Sequence, residues 1–121
     1  MLRMVPGGAD QDVALIAQLR RGVLEYCVMA LLEKEDRYGF ELVENLAAID
    51  GMVTSEGTIY PLLARLRGDG TLESYWRESP SGPPRRYYRL SSSGIEGLRG
   101  FRQEWMRFRG AVDKIMSEEE A

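Results

Sequence analysis

The chain has 121 residues, enough for one compact core and too few for two, so any function must come from a single domain and its edges. Its apolar share of 44% and charged share of 29% are those of a globular protein, and no apolar run approaches the roughly 20 residues that span a bilayer. Histidine is absent and Cys27 stands alone, which argues against transition-metal chemistry, an internal disulfide and any familiar acid–base or nucleophilic constellation.

The first ten residues lack the apolar stretch of a secretory signal, and a lone cysteine suits a reducing compartment, so a cytoplasmic protein without a cofactor is expected. Net charge is −3, yet its distribution is uneven. Between Tyr60 and Leu90, Arg65, Arg67, Arg77, Arg85, Arg86 and Arg89 outnumber Asp69, Glu73 and Glu78, while the chain ends in the acidic Glu118, Glu119 and Glu120. A basic strip on an acidic chain is compatible with a small DNA-binding protein.

In chain order, residues 1–9 with Pro6-Gly7-Gly8 read as a flexible arm, and Asp10 or Asp12 as the N-cap of a first helix reaching about Glu33. Its apolar residues Ile16, Leu19, Val23, Leu24, Cys27, Val28, Leu31 and Leu32 recur every three or four positions and predict a wide buried stripe, with Cys27 inside it. A polar turn at 34–37 leads to a second helix from Tyr38 through Phe40, Leu42, Val43, Leu46, Ala47 and Ile49, closed by a left-handed Gly51. Thr54 or Ser55 caps a third helix that Gly68 or Gly70 stops. Two helices a few residues apart, the second with polar side chains on one face, predict a helix-turn-helix.

After Gly70 the period changes to alternation over 71–77 and again over 86–90, which predicts two strands. Residues 78–84, rich in Pro, Ser and Gly, form the connecting loop, making a β-hairpin. Ser91, Ser92 or Ser93 then caps a last helix carrying Leu98, Phe101, Trp105, Phe108, Val112 and Ile115 at spacings of three and four, a seam that demands a partner helix. The expected organisation is an arm at 1–9, a winged helix-turn-helix at 10–90, a dimerisation helix at 91–116 and an acidic tail at 117–121. The fold class is mainly α with a small β-hairpin.

In the third helix, Ile59, Leu63 and Leu66 share one face, whereas Gly57, Pro61 and Ala64 lie opposite, so the outward face is small and a groove could approach the backbone. Thr54, Thr58 and Arg65 flank that face on one side, Tyr60 and Arg67 on the other. Gly and Pro weaken a helix by roughly 1 and 3 kcal/mol and need a reason to be there. Pro61 removes a hydrogen bond to the Gly57 carbonyl, so either the helix kinks there or its regular part starts later.

Several segments together now resemble one family: Leu19-Arg20-Arg21-Gly22-Val23-Leu24, Tyr38-Gly39-Phe40-Glu41-Leu42, Glu56-Gly57-Thr58-Ile59-Tyr60-Pro61-Leu62-Leu63 with Arg65-Leu66, and Gly82-Pro83-Pro84-Arg85-Arg86-Tyr87-Tyr88-Arg89-Leu90. The resemblance is to PadR-like transcriptional regulators and covers residues 18–116. With no further domain after the last helix, the chain looks like the family's short branch. It implies a dimeric, non-enzymatic repressor that binds a roughly palindromic operator in duplex DNA. Its expected DNA-contacting residues are Tyr38, Thr54, Ser55, Gly57, Thr58, Tyr60, Pro61, Arg65, Arg67, Arg85, Arg86 and Tyr88.

Arg85 and Arg86 follow two prolines that stiffen the loop and hold their guanidinium groups at the wing edge; of Tyr87 and Tyr88, one packs inward and the other reaches outward. The expected dimer interface is Leu98, Phe101, Trp105, Phe108, Val112 and Ile115. Phe101, Trp105 and Phe108 are either packing residues or, as the resemblance implies for some relatives, the lining of a site for a planar hydrophobic effector. Two rival readings use the same fold: a winged-helix module that binds protein instead of DNA, and a ligand sensor whose DNA contacts are secondary.

Overall fold

A computed structural model of the chain describes residues 9–52 and 54–117. The expected arm at 1–8 and the end of the acidic tail at 118–121 lie outside them. Among the described residues, five helices and three strands follow in the order α1 (Ala9–Arg20), α2 (Leu24–Lys34), β1 (Arg37–Tyr38), α3 (Gly39–Ala47), α4 (Glu56–Gly68), β2 (Leu72–Ser79), β3 (Gly82–Leu90) and α5 (Ser92–Met116). The strands form one antiparallel sheet in the order β1-β3-β2.

The core is built where α2, α3 and α4 pack against the sheet and the start of α5. Val28, Leu42, Ile59 and Leu63 are completely enclosed, and Met29, Leu32, Leu46, Leu66, Leu72 and Leu98 nearly so. On α4 the buried residues Ile59, Leu63 and Leu66 make one stripe at spacings of four and three, which leaves the opposite face free.

Four expectations need correction. The first helix is two: Gly22 has φ +85°, a left-handed backbone that interrupts a right-handed helix at little cost only in glycine. As a result Leu19 is exposed, and Val23, Cys27 and Leu31 are only half-buried. Neither Asp10 nor Asp12 caps α1, which is already helical at Ala9. Tyr38 belongs to a strand, not a helix, because Arg37 and Tyr38 pair with Tyr88 and Tyr87 and turn the hairpin into a three-stranded sheet. Finally, the hairpin continues through most of the segment expected to be loop. Ser79 faces Gly82 across a turn of only Pro80 and Ser81, and Pro83 and Pro84 lie inside β3, where only β2 flanks the hairpin end and their missing N–H groups are tolerable.

Arg37 ties the turn after α2 to the core. Its Nε donates to the Leu31 carbonyl at 3.0 Å and its Nη1 to Asn45 Oδ1 at 3.0 Å. A second joint lies where α4, β3 and α5 meet. The N–H of Gly70 donates to the Arg67 carbonyl (3.1 Å) and that of Thr71 to the Leu66 carbonyl (2.9 Å), the paired bonds of a Schellman cap with left-handed Gly70 at φ +82°. Ser91 Oγ donates to the Gly70 carbonyl at 2.7 Å, with the Thr71 carbonyl 2.9 Å away, and accepts from the Gly94 N–H at 3.1 Å. One serine therefore caps α5 and anchors it to the end of α4.

Candidate nucleic-acid interface

Helix α4 starts at Ser55, whose extended backbone (φ −147°, ψ 168°) is that of an N-cap; its carbonyl accepts from both the Thr58 and Ile59 N–H groups, at 3.1 and 3.0 Å. Ser55 Oγ lies 3.4 Å from Thr58 Oγ1. Thr54 is half-buried, and its hydroxyl oxygen has no hydrogen-bond partner among the described residues. The helix is continuous from Glu56 with Pro61 inside it, so its regular part does not start later; the proline leaves the Gly57 carbonyl without its usual i+4 donor.

Gly57, Thr58, Pro61, Ala64 and Arg67 are all exposed. A Cβ at Gly57 would meet nothing closer than Ser55 Oγ at 3.8 Å, so packing within the protomer does not demand glycine there. Gly39 differs: a Cβ there would overlap the ring of Tyr60. Close contact at Gly39 thus presses Tyr60 of α4 onto the first turn of α3. Burial, and then Glu56, push the Tyr60 phenol above its ordinary pKa.

Arg65 is committed elsewhere. Its Nη2 is 2.6 Å from Glu25 Oε1 on α2, and its Nη1 is 3.6 Å from Asp69 Oδ2. The hydrogen bond to Glu25 is the main reason its pKa is raised. The guanidinium faces its own protomer, a partner forty positions away that no local charge pattern discloses.

The wing is also arranged differently from expectation. Arg85 and Arg86 lie within β3 rather than at the hairpin tip, and they point to opposite faces of the sheet. Arg85 sits over the Tyr38 ring at 4.3 Å and Arg86 over the Trp76 ring at 4.9 Å, while Arg86 Nη1 reaches Ser74 Oγ at 3.4 Å. Both arginines are half-buried. Tyr88 is the inward member of its pair, 7% exposed and part of the core; Tyr87 is half-buried, stacks on Tyr75 with ring centroids 5.8 Å apart and meets the tilted ring of Tyr38 at 5.4 Å. Tyr75 in turn donates to Asp36 Oδ2 at 2.6 Å, which raises its pKa.

One cleft of about 280 Å³ gathers Tyr38, Gly39, Phe40, Tyr60, Arg85, Arg86 and Tyr88. It joins the start of α3, the first half of α4 and the wing. Phe40, read from periodicity as a core residue, lies at this cleft and is 43% exposed. Trp76, 62% exposed on the wing, is the other surface aromatic that the sequence pattern did not single out. An exposed Trp beneath an Arg is legible only once strand register is known.

The C-terminal seam divides. Leu98 is 1% exposed and belongs to the protomer's own core, which corrects its assignment to a dimer interface. Phe101 stacks on Tyr26 of α2 with centroids 4.0 Å apart and planes within 4°, and Trp105 follows at 5.9 Å from Phe101. Beyond this point the stripe is mostly uncovered: Phe108 is 63% and Ile115 79% exposed, with Val112 half-buried between them, and Leu15 and Leu19 of α1 are exposed in large part. A cavity of about 580 Å³ between α1 and α5 is lined by Leu19, Val23, Trp105, Phe108 and Val112 with Gln18, Arg21, Arg109 and Asp113 at its edges.

Among the described residues no group of His, Cys, Asp and Glu is placed to hold a metal ion, and no helix is long and apolar enough to cross a membrane. A short helical core with a helix-turn-helix and a three-stranded wing is the winged-helix class of DNA-binding module. The sequence profile of the Transcriptional regulator PadR-like family matches residues 28–99, more than half of the chain, and the protein belongs to that family.

Solved structures agree. A PadR family transcriptional regulator from Eggerthella lenta DSM 2243 is 34% identical, with a TM-score of 0.77 over 91% of this chain and 96% of that one. A PadR-like transcriptional regulator from Bacillus cereus ATCC 14579 is 35% identical, with a TM-score of 0.77 over 84% and 99%. An uncharacterised protein of Lysinibacillus sphaericus is 29% identical over 79% of this chain and 90% of its own. The family consists of DNA-binding transcription regulators, not enzymes.

Proposed function

We propose that the protein is a cytoplasmic homodimeric repressor that occupies a roughly palindromic operator, with each α4 in a major groove and each wing beside it, and so excludes polymerase from a promoter. The observation that carries this reading is the continuity of one surface. Tyr60, on the flank of the side-chain-poor face of α4, lines one cleft with residues of β3 that include Arg85 and Arg86, so a face that a groove can approach and phosphate-neutralising groups lie close together. Of the expected contacts, Tyr38, Thr58, Tyr60, Arg67, Arg85 and Arg86 remain candidates for direct contact, with Thr54, Ser55, Gly57 and Pro61 shaping the approach. A footprint on DNA upstream of the protein's own gene tests the reading; no protected sequence at low salt would overturn it.

Dimerisation is proposed through α5 from Phe101 to Ile115 together with α1. A monomer would leave Phe108, Met106, Ile115, Met116, Leu15 and Leu19 in water, an apolar surface that marks an interaction site. The cavity beside Trp105 supports a planar hydrophobic effector that binds near this seam and weakens operator binding by favouring a different spacing of the two α4 helices. A flat compound that quenches Trp fluorescence and releases DNA equally well from Trp105→Ala would place the effector site elsewhere.

A further inference from the structure

The hairpin leaves one strand edge open. In the order β1-β3-β2, β2 is flanked on one side only, and no other described backbone group bonds to its free side. Register says which groups stand there. The Ser91 N–H donates to the Thr71 carbonyl at 3.0 Å, so Glu73, Tyr75 and Arg77, at steps of two along the same ladder, also turn their backbone groups to β3. Ser74 and Trp76 point theirs outward. Trp76 is moreover 62% exposed.

An edge of this kind takes up another strand unless something blocks it. The part of β3 that β1 leaves uncovered is blocked by Pro83 and Pro84. β2 runs for eight residues without a proline, and its available guard is charge. Charges of one sign would repel a second copy. Glu73 and Arg77 instead lie two places on either side of Tyr75 with opposite signs, while Glu78 falls at the register shift. Such a strand is complementary to itself when two copies run antiparallel.

We propose that β2 pairs antiparallel with β2 of a second copy about a two-fold axis through Tyr75, joining their two three-stranded sheets into one. Glu73 then faces Arg77 of the second copy, and Arg77 faces its Glu73. Arg77 forms no ion pair among the described residues, its guanidinium lying 4.5 Å from the Tyr87 ring centroid. Ser74 and Trp76 exchange backbone hydrogen bonds with Trp76 and Ser74 across the axis, so the outward groups of both are satisfied. The Trp76 ring lands opposite a small serine and is drawn out of water. This contact is separate from the α5 seam, so pairing at both places links dimers into chains. It goes beyond the regulatory reading and needs no operator.

Sedimentation of the full chain without DNA, over rising concentration, reads the pairing. The edge is short, so association belongs to concentrations above those that close the α5 seam, and the wild type should there pass from dimers to larger species. Glu73→Lys sets like charges opposite each other on both sides of the axis and is expected to weaken this step about tenfold; Arg77→Glu should do the same. The two substitutions together restore opposite signs across the axis, and the larger species should return. Within one protomer the two positions are about 13 Å apart on the strand and face different residues, Arg89 and Arg85, so a purely structural role predicts no mutual rescue. Tyr75→Cys in a Cys27→Ser background puts a thiol on the axis beside its own copy. Mild oxidation should cross-link it faster than Ser92→Cys, an exposed position, in the same background.

In Phe108→Asp with Ile115→Asp, which opens the α5 seam, association at high concentration should stop at two copies, and this separates failure of the wing contact from failure of the seam. The proposal is overturned if the wild type forms nothing larger than the α5-linked dimer at its highest soluble concentration. It is equally overturned by a double charge reversal that stays dissociated, or by Tyr75→Cys cross-linking no faster than Ser92→Cys.

Discussion

Gly57→Ala separates folding from binding because the two should change in opposite directions. Gly57 lies in the first turn of α4, exposed, with room for a methyl group. Alanine is better than glycine in a helix by about 0.5–1 kcal/mol, and for a chain of this size that gain corresponds to roughly 2–5 °C in unfolding temperature. The same methyl group would stand on the face through which α4 approaches the groove. Losing one or two well-made contacts at about 1–3 kcal/mol each would reduce operator affinity by about tenfold or more. The salt slope should not move, since no charge is altered. Thermal unfolding followed by circular dichroism and fluorescence anisotropy on a labelled operator measure the two effects. A variant that is more stable and binds as tightly as wild type would show that this face of α4 does not meet DNA; one that is less stable would refute the helix geometry itself.

Replacing Arg85 and Arg86 together by Ala should weaken binding across all sequences and lower the salt slope by about one per lost phosphate contact; an unchanged slope in a salt titration would exclude the wing as an electrostatic contact. Phe108→Asp with Ile115→Asp should produce a folded monomer by sedimentation, whereas Leu98→Ala should remain dimeric and lose about 2–5 kcal/mol of stability. The opposite pattern would invert the division of α5 into core and interface. Burial pushes the Cys27 thiol above its ordinary pKa, so at neutral pH less of it is thiolate than in a free cysteine, and its alkylation should be slower and should accelerate only at higher pH. Alkylation as fast as that of a model peptide would show that the half-buried thiol is freely accessible.

Much of the fold could be read from local chemistry. The α4 stripe of Ile59, Leu63 and Leu66, the left-handed stop at Gly70 and the cap at Ser91 each depend on residues a few positions apart, which a linear pattern records. The break at Gly22 was concealed because apolar spacing continued in step on both sides of it. β1 is two residues long, too short for alternation to register.

Features that depend on distant partners were less legible. Spacing places Leu98 and Phe108 on one stripe, yet it cannot tell which of them the protomer covers itself. Much of the basic strip lies on the hairpin, but the pairing of Arg65 with Glu25 and the inward turn of Tyr88 required the packing of α2 on α4 and the register of β3. Phe40 was misassigned for a related reason: at the first turn of α3 the apolar stripe has not yet reached the core, and the ring opens onto the cleft.

The joint at Ser91 has a mechanical consequence. With its hydroxyl on the Gly70 carbonyl and its own N–H on the Thr71 carbonyl at 3.0 Å, and with Gly94 packed so closely that a Cβ would overlap Thr71 and Leu90, the start of α5 has no soft pivot relative to the end of α4. The helix beyond it has 25 residues and is therefore a lever arm. At about 1.5 Å per residue it is roughly 37 Å long, so a rotation of about 5° shared by α4 and α5 displaces its far end by about 3 Å. Run in reverse, a displacement of a few ångströms at the tip becomes a rotation of α4, the kind of change to which a helix bedded in a groove is most sensitive.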